Sequence, residues 1–405
     1  MWTWLSISPG IKVFPAPSIT RPVKPVGGKK FYGETKGLTE YSPPIVRRGL
    51  LKLKSGTTSM RILGDGYYSL KYRDDLKDWD IVGPRVFTAG VHVNGPNGYI
   101  TRGFGQILDE DERGRIAVEL TSFEEIASKM ERHIATGIDV VKIATTHGSL
   151  GFADAEPDLP EEWVREIVRV SHQHGLKVTA HSLGEKGDWA AIRGGVDGIE
   201  HLAGVSRVLS DEMISEIKSR GIVICPTLAA AAYDMMNMLN NTEILVNDPD
   251  IVANVPARVR KDLYFTVWVL KLPGAIRLMT KQPKAFEKVQ QWYKQSIANT
   301  AKLYAAGVKL IFGTDMPFFM GNFWHSVMNE VRALKHASVS NSDILKMATI
   351  NAAEAIGVAD RMGTIEEGKL ADLVLINGNP LQDIETLRDV EMVFKEGRIV
   401  YKHLP

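Results

Sequence analysis

Length, composition and charge narrow the class of protein. The chain has 405 residues, of which 44% are hydrophobic and 24% charged, so it can bury a large core and is neither disordered nor fibrous. Its formal net charge is +1 at pH 7, and it has no long basic run, so nothing in its electrostatics predicts nucleic acid or an anionic membrane as a partner. A small-molecule substrate is the expected partner.

Cysteine content and the N-terminus restrict the cellular setting and the metal chemistry. The single cysteine, Cys225, excludes an intramolecular disulfide and a thiolate metal cluster, so any metal must be held by His, Asp, Glu or a modified side chain. The first residues, MWTWLSISPG, lack the basic and apolar regions of a signal peptide, and we find no stretch apolar enough to span a bilayer. A cytoplasmic protein is therefore expected.

Short β-rich runs alternate with amphipathic stretches along the chain. Helices are predicted for SFEEIASKMERHIATG and PEEWVREIVRVSHQHG, each of which ends on glycine, a common helix stop. Repetition of strand, helix and strand is typical of a parallel sheet. The predicted strands are RVFTAG at 85–90, DVVKIA at 139–144, KVTAH at 177–181, DGIEH at 197–201, GIVICPT at 221–227 and VKLIFGTD at 308–315.

The repeat predicts an α/β fold of the (β/α)8 TIM-like barrel type. About eight such units, without a Gly-rich dinucleotide fingerprint, favour a barrel over a doubly wound sheet. A helical insertion at roughly 230–300 either forms a lid over the barrel mouth or packs beside it. The expected organisation is an atypical segment at 1–50, the barrel at 51–362, and at 363–405 the C-terminal part of a small, incomplete accessory β-sandwich.

A lysine in the middle of a predicted apolar strand needs a physical reason. Lys142 lies in DVVKIA, where a buried ammonium is costly unless it is paired, neutralised or chemically modified. His181, His201 and Asp315 stand at or near the C-terminal ends of other strands, the face on which barrel enzymes carry their chemistry. Two imidazoles and a carboxylate suit zinc, manganese or a similar divalent ion. The four residues together predict a metal site.

A family resemblance rests on a set of motifs in a fixed order: KIATTHGS, KVTAHSLG, GIEHLAG, FGTDMP, ATINAAEAIG and GTIEEGKLADLVLINGNPLQDI. In this order and spacing they resemble the amidohydrolase superfamily, in particular its imidazolonepropionase-like and Xaa-Pro-dipeptidase-like branch. The resemblance extends from about Leu51 to the C-terminus. It implies a metal-dependent hydrolase of carbon–nitrogen bonds in amides or dipeptide-like substrates.

The resemblance also implies roles for the four residues. In similar proteins the lysine of the fourth strand reacts with carbon dioxide and becomes a carbamate that bridges two metal ions, most often zinc; here that lysine is Lys142. His181 and His201 would bind the second ion. Asp315 would bind the first ion and accept the proton of the attacking water. Lys142 and Asp315 are thus the expected catalytic residues, and all four are expected metal ligands.

The N-terminal segment departs from the family pattern. Relatives carry a His-x-His pair after a proline–glycine turn, whereas SPGIKVFPAPS has Pro15 and Pro17 at those positions, and no histidine precedes His92. Proline cannot bind a metal, so an enzyme would be impaired. Three explanations stay open: residues 11–47 are a translated frameshift, they are a genuine divergence with substitute ligands, or the chain has lost catalysis.

Five further residues are candidates for contact with substrate, because they fall in loops on the catalytic face. Tyr99 occupies the loop in which relatives place a substrate-contacting histidine, and Arg102 could pair with a substrate carboxylate. The others are His92, His147 and His325. Three remaining histidines are predicted on the surface of outer helices: His133, His172 and His174.

Two alternatives to an active enzyme follow from the altered N-terminal segment. One is a catalytically silent barrel that acts as a binding protein through the same face. The other is an unstable product of a truncated reading frame, in which the accessory strands near 372–376 and 392–400 would have unpaired edges. Such edges would also favour a homo-oligomer.

Overall fold

Parallel strands form the centre of the part of the chain that the computed structural model describes. Described are residues 52–64, 66–78, 82–104, 116–148, 157–229, 285–315 and 325–403, with residues 4–6, 49, 114 and 233. The strands are β2 (Ser59–Ile62), β3 (Arg85–Thr88), β4 (His92–Asn94), β5 (Ala117–Glu119), β6 (Val141–Ala144), β7 (Val178–His181), β8 (Gly198–Glu200) and β9 (Val223–Cys225). One sheet has the order β5-β4-β6-β7-β8-β9, and β2 pairs with β3; every neighbouring pair in these sheets is parallel.

The strands β6 to β9 are buried along their whole length, as expected for parallel strands covered by helices. Beyond β9 the sheet continues through the backbone at Leu310, which bridges Ile224 in parallel. The predicted strand at 308–315 is therefore paired at this point, although its other described residues are not assigned as strand.

Helices follow the strands and pack outside the sheet. The two helices predicted in detail are confirmed, and each gives way to a glycine with positive φ: Gly137 at 85° and Gly175 at 71°. The α-helices are α1 (Tyr68–Lys77), α2 (Tyr99–Phe104), α3 (Ile126–Ile134), α4 (Glu161–Gln173), α5 (Glu185–Gly194), α6 (Asp211–Ser219), α7 (Ala285–Ala305), α8 (His325–His336), α9 (Asn341–Ala348) and α10 (Ile350–Ala355).

The C-terminal residues form a separate, mixed sheet, with strands β10 (Leu373–Ile376), β11 (Val390–Lys395) and β12 (Arg398–Lys402) in antiparallel order. A fourth strand, β1 (Trp4–Ser6), pairs in parallel with β10. The expectation that the edge of β10 would be unpaired is wrong, because the first residues of the chain cover it.

Buried polar contacts attach the accessory sheet to the barrel. The Arg85 guanidinium on β3 lies 3.2 Å from the Asp372 carboxylate, and Lys395 donates from Nζ to the carbonyl oxygen of Leu76 at 3.1 Å. Asp372 also accepts the backbone N–H of Glu396 at 2.8 Å. The accessory sheet thus has fixed polar anchors on the barrel.

Part of the predicted organisation lies outside the described residues. This holds for residues 7–48, which include the altered positions Pro15 and Pro17, and for 234–284 within the predicted insertion. None of the described helices combines the length and the apolar character that crossing a bilayer requires.

Candidate active site

Lys142 lies inside β6, as the sequence predicts, and its side chain is only 2% exposed. In the parallel register it is the partner of His92 on β4 and of Thr179 on β7, so these three side chains point to the same face of the sheet. Burial lowers the pKa of Lys142 from 10.5 to about 8, against the opposing charge of Glu200. An amine with this pKa is partly neutral, and hence nucleophilic, near neutral pH.

A buried carboxylate beside Lys142 was missed by the sequence analysis. Glu200, at the end of β8, lies 2.6 Å from the Arg61 guanidinium and accepts the Thr179 hydroxyl at 2.6 Å. Although burial raises the pKa of Glu200, the charges of Arg61 and Lys142 outweigh this and hold it below its usual range. The signal was present: Glu200 and Arg61 are charged residues within short apolar runs, like Lys142 itself.

His181 ends β7 with its ring almost fully buried. Burial and the charge of Lys142 lower its pKa to about 3, so the imidazole is neutral at pH 7. Its Nε2 lies 2.8 Å from the carbonyl oxygen of Gly148, which can only accept, so Nε2 carries the hydrogen. The Nδ1 lone pair of His181 is then the one available for a ligand.

The ring of His201 has the opposite arrangement. Its Nδ1 lies 2.7 Å from the Thr227 hydroxyl oxygen, and that hydroxyl donates to the Pro226 carbonyl oxygen at 2.8 Å. The hydroxyl hydrogen is therefore committed, and Nδ1–H of His201 is the donor. Burial, followed by the charges of His181 and Lys142, holds the pKa of His201 well below its usual value, which leaves Nε2 with a free lone pair.

The two imidazoles and Asp315 meet at the C-terminal ends of the strands. The ring centroids of His181 and His201 are 5.0 Å apart in an edge-on arrangement. The Asp315 carboxylate lies 3.9 Å from His201 Nδ1, and its side chain is about half exposed. His201, Thr227 and Asp315 all have positive φ, at 70°, 50° and 50°. Such strain in non-glycine residues is concentrated at functional sites.

Aromatic rings extend the site toward the mouth of the barrel. Tyr99 stacks on His181, with centroids 4.1 Å apart and planes 15° from parallel. His92 is buried beside it with the centroids 5.8 Å apart, and its Nδ1 has no hydrogen-bond partner among the described residues. The two predicted substrate residues Tyr99 and His92 therefore do lie next to the predicted ligand His181.

The other candidates lie in different surroundings. The Nδ1 of His147 lies 3.7 Å from the buried carboxylate of Asp158, in the loop after β6. Arg102 belongs to α2 and His325 begins α8, but their side chains are outside the described part of the chain. One surface prediction is wrong: His133 is buried, with Nδ1 2.8 Å from the Tyr67 hydroxyl.

The donor set fits one metal ion better than two. Among the described residues no three His, Cys, Asp or Glu side chains stand close enough together to hold a metal ion. His181 and His201 would contribute two imidazole donors to such an ion. The third donor would be Lys142 once it carries a carboxylate, since the unmodified ammonium repels a cation. No histidine precedes His92, so the first ion of a two-metal centre lacks the N-terminal His-x-His pair that relatives carry.

Most of the chain matches the model of a known protein family. The model of the amidohydrolase family matches residues 49–400. The chain belongs to the amidohydrolase family. The resemblance inferred from the motifs is confirmed, and with it the (β/α)8 barrel of the α/β class and its accessory sheet. Membership also supports a hydrolase of carbon–nitrogen bonds.

Several relatives of this amidohydrolase have names that specify an activity. Ochratoxinase of Aspergillus niger is 24% identical over 400 residues, covering 92% of this chain and 72% of the relative. The crystal structure of a Xaa-Pro dipeptidase with bound methionine has a TM-score of 0.66 at 25% identity, covering 88% of this chain and 78% of that one. Imidazolonepropionase of Thermoplasma volcanium is 36% identical over 72 residues, 17% of this chain and 18% of the relative.

Proposed function

We propose that this amidohydrolase is a metal-dependent enzyme that hydrolyses the amide bond of a small dipeptide-like or N-acyl amino acid substrate. The observation that carries the proposal is the pair His181 and His201. Both rings are neutral, both have one nitrogen fixed by a hydrogen bond to the protein, and they stand 5.0 Å apart beside a buried lysine. A fixed ring with one free lone pair is the form in which histidine binds a metal.

The ligands follow from the hydrogen bonds. His181 would bind through Nδ1 and His201 through Nε2, because the other nitrogen of each ring donates to the protein. The neutral amine of Lys142 would attack carbon dioxide, forming an N–C bond and releasing a proton, which leaves an anionic carboxylate on Nζ as the third donor. A divalent ion held by these residues, most often zinc with such donors, would lower the pKa of a bound water and polarise the substrate carbonyl.

Asp315 is the proposed general base; among the described residues it does not stand close enough to His181 and His201 to complete a three-residue metal site with them. Its carboxylate is within 3.9 Å of His201 and half exposed, so water can reach it. It would accept the proton of the attacking water and return it to the leaving nitrogen. The proposed substrate contacts among the described residues are Tyr99, His92 and His147. Tyr99 and His92 lie beside His181, and His147 lies in the loop after β6.

The substrate class is inferred from the relatives. The relatives include a Xaa-Pro dipeptidase and an ochratoxinase, whose names specify different substrates. The relatives therefore suggest which compounds to test, and a substrate screen must identify the one that this chain cleaves. Dipeptides with a C-terminal proline, N-acyl amino acids and cyclic amides form the panel, with release of the free amine as the readout.

A matched pair of variants makes the test specific. His201→Ala should abolish turnover of any panel substrate, whereas His172→Ala should leave it unchanged, because His172 is a half-exposed histidine paired with Asp197 on the outer side of the barrel. Activity that survives in His201→Ala would contradict the proposal.

A binding protein without catalysis is the second candidate. It is favoured by the pairing of charges around Lys142: Glu200 and Arg61 already give the lysine a buried ionic environment, without a carbamate. The absence of the N-terminal His-x-His pair also favours a protein without catalysis. A chain that binds panel compounds but retains no zinc after growth with zinc and bicarbonate would support this candidate instead.

A further inference from the structure

A buried carboxylate ties the loop before α2 to the loop before α4, and these two loops follow the neighbouring strands β4 and β6. The side chain of Asp158 has no exposed area, and it comes from the loop that precedes α4. It accepts the backbone N–H of Gly95 at 2.6 Å and that of Tyr99 at 2.7 Å. One carboxylate thus fixes both ends of a five-residue turn, Gly95 to Tyr99, which also closes on itself through a bond from Gly98 N–H to the Gly95 carbonyl oxygen.

The turn has no room for a side chain at either of its two glycines while the Asp158 carboxylate is in place. A Cβ added at Gly95 would lie 2.7 Å from Asp158 Oδ1, and one added at Gly98 would lie 2.5 Å from Oδ2. Glycine at these two positions is what lets the carboxylate enter the turn and reach the N–H groups. Between them Asn97 has a φ of 49°, in the left-handed region that asparagine tolerates better than most residues.

The residue at the end of this turn is the one that covers His181. Tyr99 begins α2, and its N–H, which a first-turn residue cannot donate within the helix, donates to Asp158. Its ring then lies flat on His181 at 4.1 Å. The burial of Asp158 costs free energy that two N–H donors offset only in part, and burial accordingly raises the pKa of its carboxyl group. The buried Asp158 carboxylate is therefore costly, and through Tyr99 it affects the surroundings of His181 at the candidate site.

We infer that Asp158 is a positioning residue that clamps the turn from Gly95 to Tyr99 and so holds the Tyr99 ring against His181, where that ring forms one wall of the substrate site. The part of this inference that concerns substrate rests on the proposed function. The clamp itself does not, because it concerns the contact between two side chains of the free protein.

The clamp is tested by the NMR resonance of the His181 Hε1 proton in the full-length chain labelled with ¹³C at histidine Cε1. A stacked tyrosine ring shifts this proton through its ring current, and Tyr99→Leu, which removes the ring, defines the unstacked position of the resonance. Asp158→Asn keeps the size of the side chain but presents an amide NH₂ to one of the two N–H donors. It should move the resonance toward the position found in Tyr99→Leu.

Gly98→Ala perturbs the clamp from the other side and keeps the test usable if Asp158→Asn fails to fold. It should move the resonance in the same direction, because the new Cβ displaces the carboxylate. Gly114→Ala, where an added Cβ meets nothing within 4 Å, is its matched control. Asp372→Asn is the control for loss of another buried carboxylate that accepts a backbone N–H. Neither control should move the resonance.

The outcomes separate the clamp from the hydrolase proposal. A His181 resonance that stays at its wild-type position in folded Asp158→Asn or in Gly98→Ala would overturn the inference. If the wild-type chain cleaves N-acetyl-L-methionine or an Xaa-Pro dipeptide, Asp158→Asn should raise KM about three- to tenfold with kcat within about twofold, the size expected for losing one aromatic contact. If the wild type cleaves no substrate of the panel, the proposed function fails while the NMR result still decides the clamp.

Discussion

The Thr227 hydroxyl lies 2.7 Å from His201 Nδ1 while it donates to the Pro226 carbonyl oxygen, so a single side chain fixes which nitrogen of His201 carries its proton. Thr227 follows β9, and His201 follows β8, the neighbouring strand in the sheet. Orientation of the ring is therefore set by the barrel itself.

Replacement of Thr227 tests this relationship. Thr227→Val keeps the shape and the β-branched backbone preference but removes the acceptor, so His201 loses its fixed tautomer. Zinc affinity, measured by competition with a chromophoric chelator, should fall about 10- to 100-fold, as for other residues that orient a ligating histidine. Thr227→Ser keeps the hydroxyl and should stay close to the wild type. Equal affinities for the valine and serine variants would mean that the hydroxyl does not orient the ring.

Carboxylation of Lys142 has a direct spectroscopic test. After growth and purification with ¹³C-labelled bicarbonate and zinc, a carbamate carbon signal should appear in the wild-type chain and be absent from Lys142→Ala. The control is Lys395→Arg, because Lys395 is a second buried lysine whose pKa burial lowers to about 8 but which lies in the accessory sheet. A carbamate signal that disappears in Lys395→Arg but remains in Lys142→Ala would show that Lys395 is modified and would contradict carboxylation of Lys142.

Asp315→Asn should separate catalysis from metal binding. The amide is a poor proton acceptor, so kcat should fall by about 100-fold or more. The zinc content should stay near the wild-type value, because His181, His201 and the modified Lys142 remain. A variant that loses zinc and activity together would show that Asp315 acts mainly as a ligand.

His133 predicts how stability depends on pH. Burial lowers its pKa from 6.5 to about 4. Above pH 6.5 the ring is neutral in both the folded and the unfolded chain, whereas between about pH 6.5 and 4 only the unfolded chain takes up the proton. The free energy of unfolding should therefore fall with falling pH, by up to about 1.4 kcal/mol per pH unit from this group.

His133→Gln keeps a polar partner for Tyr67 but cannot titrate. Urea unfolding at pH 7, 6 and 5 should show a smaller loss of stability for this variant than for the wild type, while the remaining buried histidines act equally in both. An identical pH dependence would contradict the burial of His133 as a neutral ring.

The sequence predicted those features that have a local pattern. Lys142 stands out because a charge inside an apolar strand is rare, and His181 and His201 stand out because they end such strands. The same reasoning would have found Glu200. By contrast, Thr227 contacts His201, which lies 26 positions earlier in the chain, and Asp158 contacts Tyr99, which lies 59 positions earlier. The residues next to Thr227 and Asp158 in the sequence do not indicate these contacts.

The sequence also did not predict which individual residues of a helix are buried. His133 shares a basic, polar stretch of α3 with residues that face solvent, and only its contact with Tyr67, 66 positions earlier, shows that it points inward. The pairing of β1 with β10 joins opposite ends of the chain, which no periodicity in the sequence reveals.

Zinc content of the purified chain, grown with zinc and bicarbonate and measured by elemental analysis, tests the central claim most directly. The site formed by His181, His201 and carboxylated Lys142 predicts about one zinc ion per wild-type chain, lost in a His181→Ala/His201→Ala double variant and kept in His172→Ala. A wild-type chain without zinc, or a double variant that binds as much zinc as the wild type, would contradict the account.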